Sequence, residues 1–182
     1  MQRCFIAVDL PEEVKKSISE SASLLKGNAK FVETQNLHIT MLFLGDLPES
    51  KVDAVKKILS NLDTKAFPIE AKGLSYFGGD FPRVIFVCIT EGADELASMS
   101  KRISTEAKSL GIKTDGKGFK AHITVARLKN GNVDAEQLKN LSSELNKKVF
   151  GRFMCSVIKL KSSRLSEKGP EYTDIYIKTL SS

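Results

Sequence analysis

The chain has 182 residues, 41% of them hydrophobic, which is enough for one domain with a sizeable core or for two small lobes. No apolar run approaches the ~20 residues needed to cross a bilayer, and the N-terminus begins directly with a strand-like pattern. We therefore expect a cytoplasmic protein with no membrane partner. The formal net charge is +6, and the three cysteines are expected to be reduced residues of the core.

The first half of the chain alternates apolar, strand-like runs with amphipathic helices. Residues 3–10 predict a buried strand, and Pro11 with the two acidic residues after it begins a helix. A short strand at 31–32 precedes a longer one at 37–44, and residues 67–77 are extended. The apolar stripes of the two helices are Val14, Ile18, Ala22 and Leu25, then Val52, Val55, Leu59 and Leu62.

The second half repeats this order. Residues 83–90 predict a strand, and a helix follows that ends at Gly111. Residues 121–128 form the next strand, and another helix begins near Asp134. The remaining segments are an extended stretch at 149–160, a polar loop at 162–171 and a last strand at 172–179.

Such a repeat, with offsets of 80 to 84 residues, indicates a duplicated lobe. We predict an α+β fold with pseudo-twofold symmetry, made of lobes at approximately 1–82 and 83–182. Each lobe is expected to be an antiparallel sheet with helices on its outer face, and the bare sheet faces meet at a central cleft. An exchange of terminal strands between the lobes fits the same pattern.

The two histidines of the chain both occur in the tripeptide His-Ile-Thr, at the start of a strand. Residues i and i+2 of a strand share a face and lie roughly 6.5–7 Å apart. His38 therefore shares a face with Thr40, and His122 shares one with Thr124. The residues predicted to face the opposite way are Ile39, Met41, Phe43, Ile123 and Val125.

Two imidazoles and two hydroxyls aimed at one small polar centre suit in-line displacement at phosphorus. That reaction needs a base on the attacking oxygen and an acid on the leaving oxygen, and a histidine with a pKa of about 6.5 serves either role. The threonine hydroxyls can donate to the non-bridging oxygens, where negative charge builds up. We expect the imidazoles to face each other across a gap of roughly 6–9 Å, with one phosphate hydrogen-bonded to each.

At these residues the chain resembles the 2H phosphoesterase superfamily, which is named for two such motifs. Within it, the chain is most similar to the RNA 2′,3′-cyclic phosphodiesterase family, also called 2′-5′ RNA ligase. The segments that carry the resemblance are residues 3–11, 36–45, 81–87 and 122–127.

The resemblance implies metal-independent hydrolysis of an RNA 2′,3′-cyclic phosphate to a 2′-phosphomonoester, with reverse 2′-5′ ligation, and no cofactor. By the family's convention His38 is the proton donor and His122 the proton acceptor on water, and ligation would swap these roles. The expected partner is an RNA, such as a tRNA fragment, that ends in a cyclic phosphate, and the expected oligomeric state is a monomer.

Other residues are candidates for substrate binding. Arg127 suits a phosphate, but in a regular strand it faces away from His122 and reaches the site only if the strand bulges. Lys120 either contacts RNA phosphates or lies in a solvated loop. Tyr76, Phe77 and Phe43 are aromatic residues able to stack on a base, with core packing favoured for Phe43.

Two rival functions belong to other classes. A metal hydrolase is disfavoured because the histidines lack the spacing of metal ligands. A non-catalytic RNA-binding module is the alternative, because residues 92–182 hold 17 Lys+Arg against 10 Asp+Glu. Such a module would bind RNA in a salt-sensitive way without turning over a cyclic phosphate.

Overall fold

A computed structural model of the chain describes residues 1–25, 29–79, 81–114, 118–128, 135–167 and 169–182. Within these residues, strands alternate with α-helices in an α+β fold. The elements are β1 (Gln2–Asp9), α1 (Glu12–Ala22), β2 (Ala29–Phe31), a 3-10 helix (Thr34–Asn36), β3 (His38–Leu47), α2 (Glu49–Ser60), β4 (Phe67–Phe77), β5 (Val84–Glu91), α3 (Ala93–Ser109), β6 (His122–Leu128), α4 (Ala135–Leu145), β7 (Val149–Cys155), β8 (Val157–Ser166) and β9 (Gly169–Thr179).

Most of the predicted elements are confirmed, and one is wrong. The loop expected at 162–171 is instead a hairpin, because β8 continues to Ser166 and β9 begins at Gly169. The sequence of these two strands predicted a loop because most of their side chains are polar and not fully buried. The helix start predicted near Asp134 lies outside the described residues, which resume with α4 at Ala135.

The strands of the described chain form one large antiparallel sheet in the order β7-β4-β5-β6-β3-β1-β8-β9, with β2 paired to β6. Strands β3 and β6 lie at its middle, where the register pairs Ile39 with Ile123. The chain crosses between the two halves of the sheet, since β4 pairs with β5 and β7, and β8 pairs with β1.

The helices pack on one face of this sheet, where the hydrophobic core lies. Ile39 and Ile123 are fully buried there, in the same cluster as Ile18 of α1, Val55 of α2 and Ile103 of α3. Burial of these apolar stripes is the main source of helix stability. No helix in the described part of the chain combines the length and the apolar character that crossing a membrane requires.

Two glycines allow a matched test of backbone constraints. Gly92 precedes α3 with a φ of 80°, and a Cβ added there would lie 2.5 Å from the carbonyl oxygen of Pro68. Gly45 of β3 has a φ of 69°, and nothing lies within 4 Å of its added Cβ. The first position combines backbone strain with a clash, and the second carries strain alone.

We therefore expect Gly45→Ala to lower the free energy of unfolding by about 1–2 kcal/mol, the cost of left-handed backbone for a residue with a Cβ. Gly92→Ala is expected to cost about 3 kcal/mol or more, because the clash adds to that strain. Urea unfolding measures both, and equal losses for the two variants would contradict the described approach of β4 to the start of α3.

Candidate active site

Both His-Ile-Thr tripeptides lie on the sheet face that is turned away from the helices. Because Ile39 and Ile123 are opposite each other and point into the core, their neighbours on each strand point to the other face. We call this the histidine face: it carries His38 and Thr40 of β3 and His122 and Thr124 of β6. Antiparallel register puts His38 on the Thr124 side of the isoleucine pair and His122 on the Thr40 side.

The two imidazoles are oriented by the same local contact. Nδ1 of His38 donates to the carbonyl oxygen of Asn36 at 2.7 Å, and Nδ1 of His122 donates to that of Lys120 at 2.6 Å. Because a carbonyl only accepts, the hydrogen of each neutral ring resides on Nδ1 and the lone pair on Nε2. Nε2 of His38 lies 2.9 Å from Oγ1 of Thr40, whose hydroxyl donates to that lone pair in the neutral ring.

His38 is packed between aromatic rings. The centroids of Phe5 and Tyr172 lie 5.2 Å and 5.4 Å from its imidazole, and Tyr172 meets it edge-on at 87°. Burial lowers the pKa of His38, and the bond to Asn36 opposes that shift. The charges of Lys161 and His122 lower the same pKa, and the charge of Asp9 raises it.

His122 has a matching aromatic environment from the other half of the sheet. Phe77 of β4 and Phe86 of β5 lie 5.3 Å and 5.4 Å from its ring. The ammonium of Lys120 sits 5.3 Å from the Phe77 ring, within the range of a cation–π contact. Burial lowers the pKa of His122, the bond to the Lys120 carbonyl opposes this, and the charges of Arg127 and Lys120 lower it further.

A β-bulge brings Arg127 to the histidine face. Phe86 pairs with Thr124 but Ile85 pairs with Ala126, so Val125 is an extra residue that changes the parity of β6. Arg127, opposite Val84, therefore shares the face of His122. The sequence analysis made a bulge the condition for Arg127 to reach the site, and β6 has that bulge.

A β-bulge in β3 shows that the core position favoured for Phe43 is wrong. Ala7 pairs with Thr40 but Ile6 pairs with Leu42, so Met41 is the extra residue. Phe43 then turns to the histidine face, where it is 47% exposed instead of packed in the core. Its position on β3 corresponds to that of Arg127 on β6.

Tyr76 is not brought to the histidine face. It pairs with the buried Ile85 and packs against the core, so its ring lies on the opposite side of the sheet. The next residue, Phe77, is the aromatic side chain of β4 that contacts His122.

Sequence reasoning missed a network of ion pairs beside His38. Lys159 and Lys161 of β8 each contact both Asp9 and Asp174, at 2.6–2.9 Å. Burial opposes ionisation of Asp9, but its lysine partners outweigh this and lower its pKa. Asp9 is the register partner of His38, so the network borders the histidine directly. The alternation of lysines in β8 is the only local sign of this network.

Sequence reasoning placed Tyr172 only at the start of the last strand, because its approach to His38 depends on the pairing of β9 with β8. Among the described residues, no group of three or more His, Cys, Asp or Glu side chains is placed to hold a metal ion. A cavity of about 310 Å³ between α1, β2 and the 3-10 helix contains neither histidine.

The sequence matches the family described as LigT like Phosphoesterase over residues 8–86 and again over residues 88–172. Two similar proteins are named RNA 2′,3′-cyclic phosphodiesterase. The one from Archaeoglobus fulgidus is 35% identical, covering 96% of this chain and 98% of that protein. The one from Aquifex aeolicus is 34% identical, covering 91% of this chain and 86% of that protein.

Solved structures agree on the fold. A crystal structure from Thermus thermophilus superposes with a TM-score of 0.78 at 28% identity, covering 98% of this chain and 97% of that one. Escherichia coli LigT complexed with ATP gives a TM-score of 0.77 at 18% identity, covering 100% of this chain and 99% of that one. The resemblance found in the sequence is thereby confirmed, and the chain belongs to the LigT-like phosphoesterase family, a group of 2H phosphoesterases.

Proposed function

We propose that this protein hydrolyses the 2′,3′-cyclic phosphate at an RNA end to a 2′-phosphomonoester, without a metal ion, and can run the reverse 2′-5′ ligation. The observation that carries the proposal is the presence of both imidazoles on one sheet face, each with Nδ1 held by a backbone carbonyl, so that Nε2 is the nitrogen for proton transfer. Nε2 of His38 contacts the Thr40 hydroxyl, which the proposal assigns to the same phosphate. The names of its relatives support the same activity.

The register supports a pair that acts on one phosphorus atom. His38 and His122 are diagonal neighbours across the β3–β6 pair, a relation in which Cβ atoms lie ~7 Å apart. A phosphate between them can hydrogen-bond to both rings. The hydroxyls of Thr40 and Thr124 share that face and can donate to its non-bridging oxygens.

In hydrolysis, Nε2 of neutral His122 takes a proton from water as the water oxygen bonds to phosphorus. The bond from phosphorus to the 3′ oxygen breaks, and protonated His38 gives its Nε2 proton to that oxygen. His122 gains one proton and His38 loses one, so proton exchange with solvent restores the starting state of both rings. Arg127 and Lys120 add positive charge close to His122, where an anionic substrate benefits from it.

The finer architecture belongs to the same proposal. We propose two lobes related by a pseudo-twofold axis, β7-β4-β5-β6 and β3-β1-β8-β9, in which β4 of the first sequence half and β8 and β9 of the second half are exchanged. The family match occurs twice, over residues 8–86 and 88–172, and the bulges at Met41 and Val125 occupy equivalent positions. A cytoplasmic location and a monomeric state stay predictions from the sequence.

The first test substitutes the histidines. His38→Ala and His122→Ala are each expected to lower kcat on a 2′,3′-cyclic nucleotide by about 10²–10⁴-fold, the usual contribution of a positioned acid or base. The double variant is expected to lose little more than either single variant, because the two groups serve one transition state. Circular dichroism and urea unfolding check that each variant is folded.

A folded single variant with normal turnover would refute the assignment of both histidines. Identification of the product as a 2′- or a 3′-phosphomonoester tests the direction of ring opening. Activity that is equal with and without EDTA is expected, whereas loss in EDTA would favour a metal hydrolase. RNA binding without turnover by the wild-type protein would favour the binding module.

The second test is the pH dependence of turnover. The active form has one imidazole protonated and one neutral, so kcat/KM is expected to be bell-shaped. Burial lowers the pKa of both rings, so the maximum is expected below pH ~6.5, the ordinary value for histidine. A bound anionic phosphate favours protonation, so the kcat maximum is expected at higher pH than the kcat/KM maximum.

A profile that stays flat between pH 5 and pH 9 would contradict the paired acid and base. Each single histidine variant provides the matched control, since its residual activity is expected to keep only one limb of the bell.

A further inference from the structure

A second pair of cations lies on the histidine face, beyond the catalytic candidates. Strand β2 pairs with β6, and this register puts Lys30 directly opposite Arg127. Ala29 packs against the core, so Lys30 between it and Phe31 points to the histidine face. Both side chains of the pair are exposed.

This arrangement is electrostatically unfavourable in the absence of an anion. Like charges directly opposite each other on one face of an antiparallel pair destabilise it. In the part of the chain that the structure describes, no carboxylate lies within 4.0 Å of either Lys30 or Arg127. The nearby Glu33 is engaged by the side-chain amides of Gln35 and Asn36.

Two other lysines on the same face are compensated: Lys159 and Lys161 each contact two aspartates, so that network has no net charge. Lys120, at the start of β6, lies over the rings of Phe77 and Phe86. Lys30 and Arg127 differ from these lysines because they are two cations directly opposite each other.

The position of the pair separates it from the reacting phosphate. Along β5, the partner of Arg127 is two residues from the partner of Thr124 and four from the partner of His122. At ~3.3 Å per residue, Arg127 begins ~7 Å beyond Thr124 and ~13 Å beyond His122. Arg127 shares strand β6 with His122, while Lys30 lies on β2, on the far side of β6 from β5.

We infer that Lys30 and Arg127 bind a second phosphate, the phosphodiester immediately upstream of the cyclic end of the RNA. The inference rests on the proposed function and deepens it: the preferred substrate is an oligonucleotide of at least two nucleotides, not a cyclic mononucleotide. Arg127 bridges the two phosphates, and Lys30 contacts the upstream one alone. The site recognises the backbone and carries no base preference of its own.

The test compares two substrates, a nucleoside 2′,3′-cyclic phosphate and a dinucleotide that ends in the same cyclic phosphate. The quantity measured is kcat/KM for the dinucleotide divided by kcat/KM for the mononucleotide. Lys30→Gln is expected to lower this ratio about tenfold, the effect of losing one charged hydrogen bond, and Lys30→Arg is expected to restore it. Lys101→Gln is the matched control, because that exposed lysine lies on α3, behind the sheet.

Salt dependence gives a second readout on the same variants. Each phosphate contact with a single strand contributes ~0.7 to the slope of log affinity against log salt concentration. Binding of the 2′-phosphorylated dinucleotide product to Lys30→Gln is expected to lose about that much slope, and Lys101→Gln is expected to keep the wild-type value.

The outcomes separate the two proposals. A wild-type protein that turns over neither substrate overturns the proposed function and the inference together. An active wild-type protein with the same substrate ratio and salt slope in Lys30→Gln overturns the inference alone. Equal losses on both substrates also overturn it, because Lys30 would then support the site in general.

Discussion

The contact between Ile39 and Ile123 is the constraint on which the candidate site depends. Both side chains are fully buried at the middle of the sheet, where β3 meets β6. A slip of either strand by one residue would turn its isoleucine to solvent and its imidazole into the core. The free energy of burying apolar side chains therefore also holds the two histidines on one face. The geometry of the candidate site and the packing of the core are enforced by the same register.

Each strand then changes parity immediately after its threonine. Without the bulges at Met41 and Val125, strict alternation would point Phe43 and Arg127 into the core. With them, each motif gains an exposed third neighbour, and the two neighbours differ: an aromatic ring on β3 and a guanidinium on β6. Two strands with the same motif and the same bulge thus present different side chains, so the candidate site is asymmetric although the two backbones are alike.

How much of this was predictable follows from the range of the interactions involved. The elements and the shared face of each His-Ile-Thr depend on local periodicity, which the sequence contains. The bulges depend on pairing with neighbouring strands, and their only local trace is that consecutive apolar residues follow each threonine. Tyr76 and Phe77 were both candidates because they are adjacent aromatic residues of opposite parity, and only the pairing with β5 decides between them.

Charge distribution on the histidine face has a consequence for the roles of the two imidazoles. Both rings are held through the same nitrogen, Nδ1, and burial lowers both pKa values, so neither feature distinguishes donor from acceptor. The network beside His38 is neutral, whereas the cations at Lys30 and Arg127 are uncompensated among the described residues. In the proposed complex, these cations hold the RNA chain, and the position of the chain decides which ester oxygen meets His38. The proposed assignment of donor and acceptor would then follow from substrate orientation.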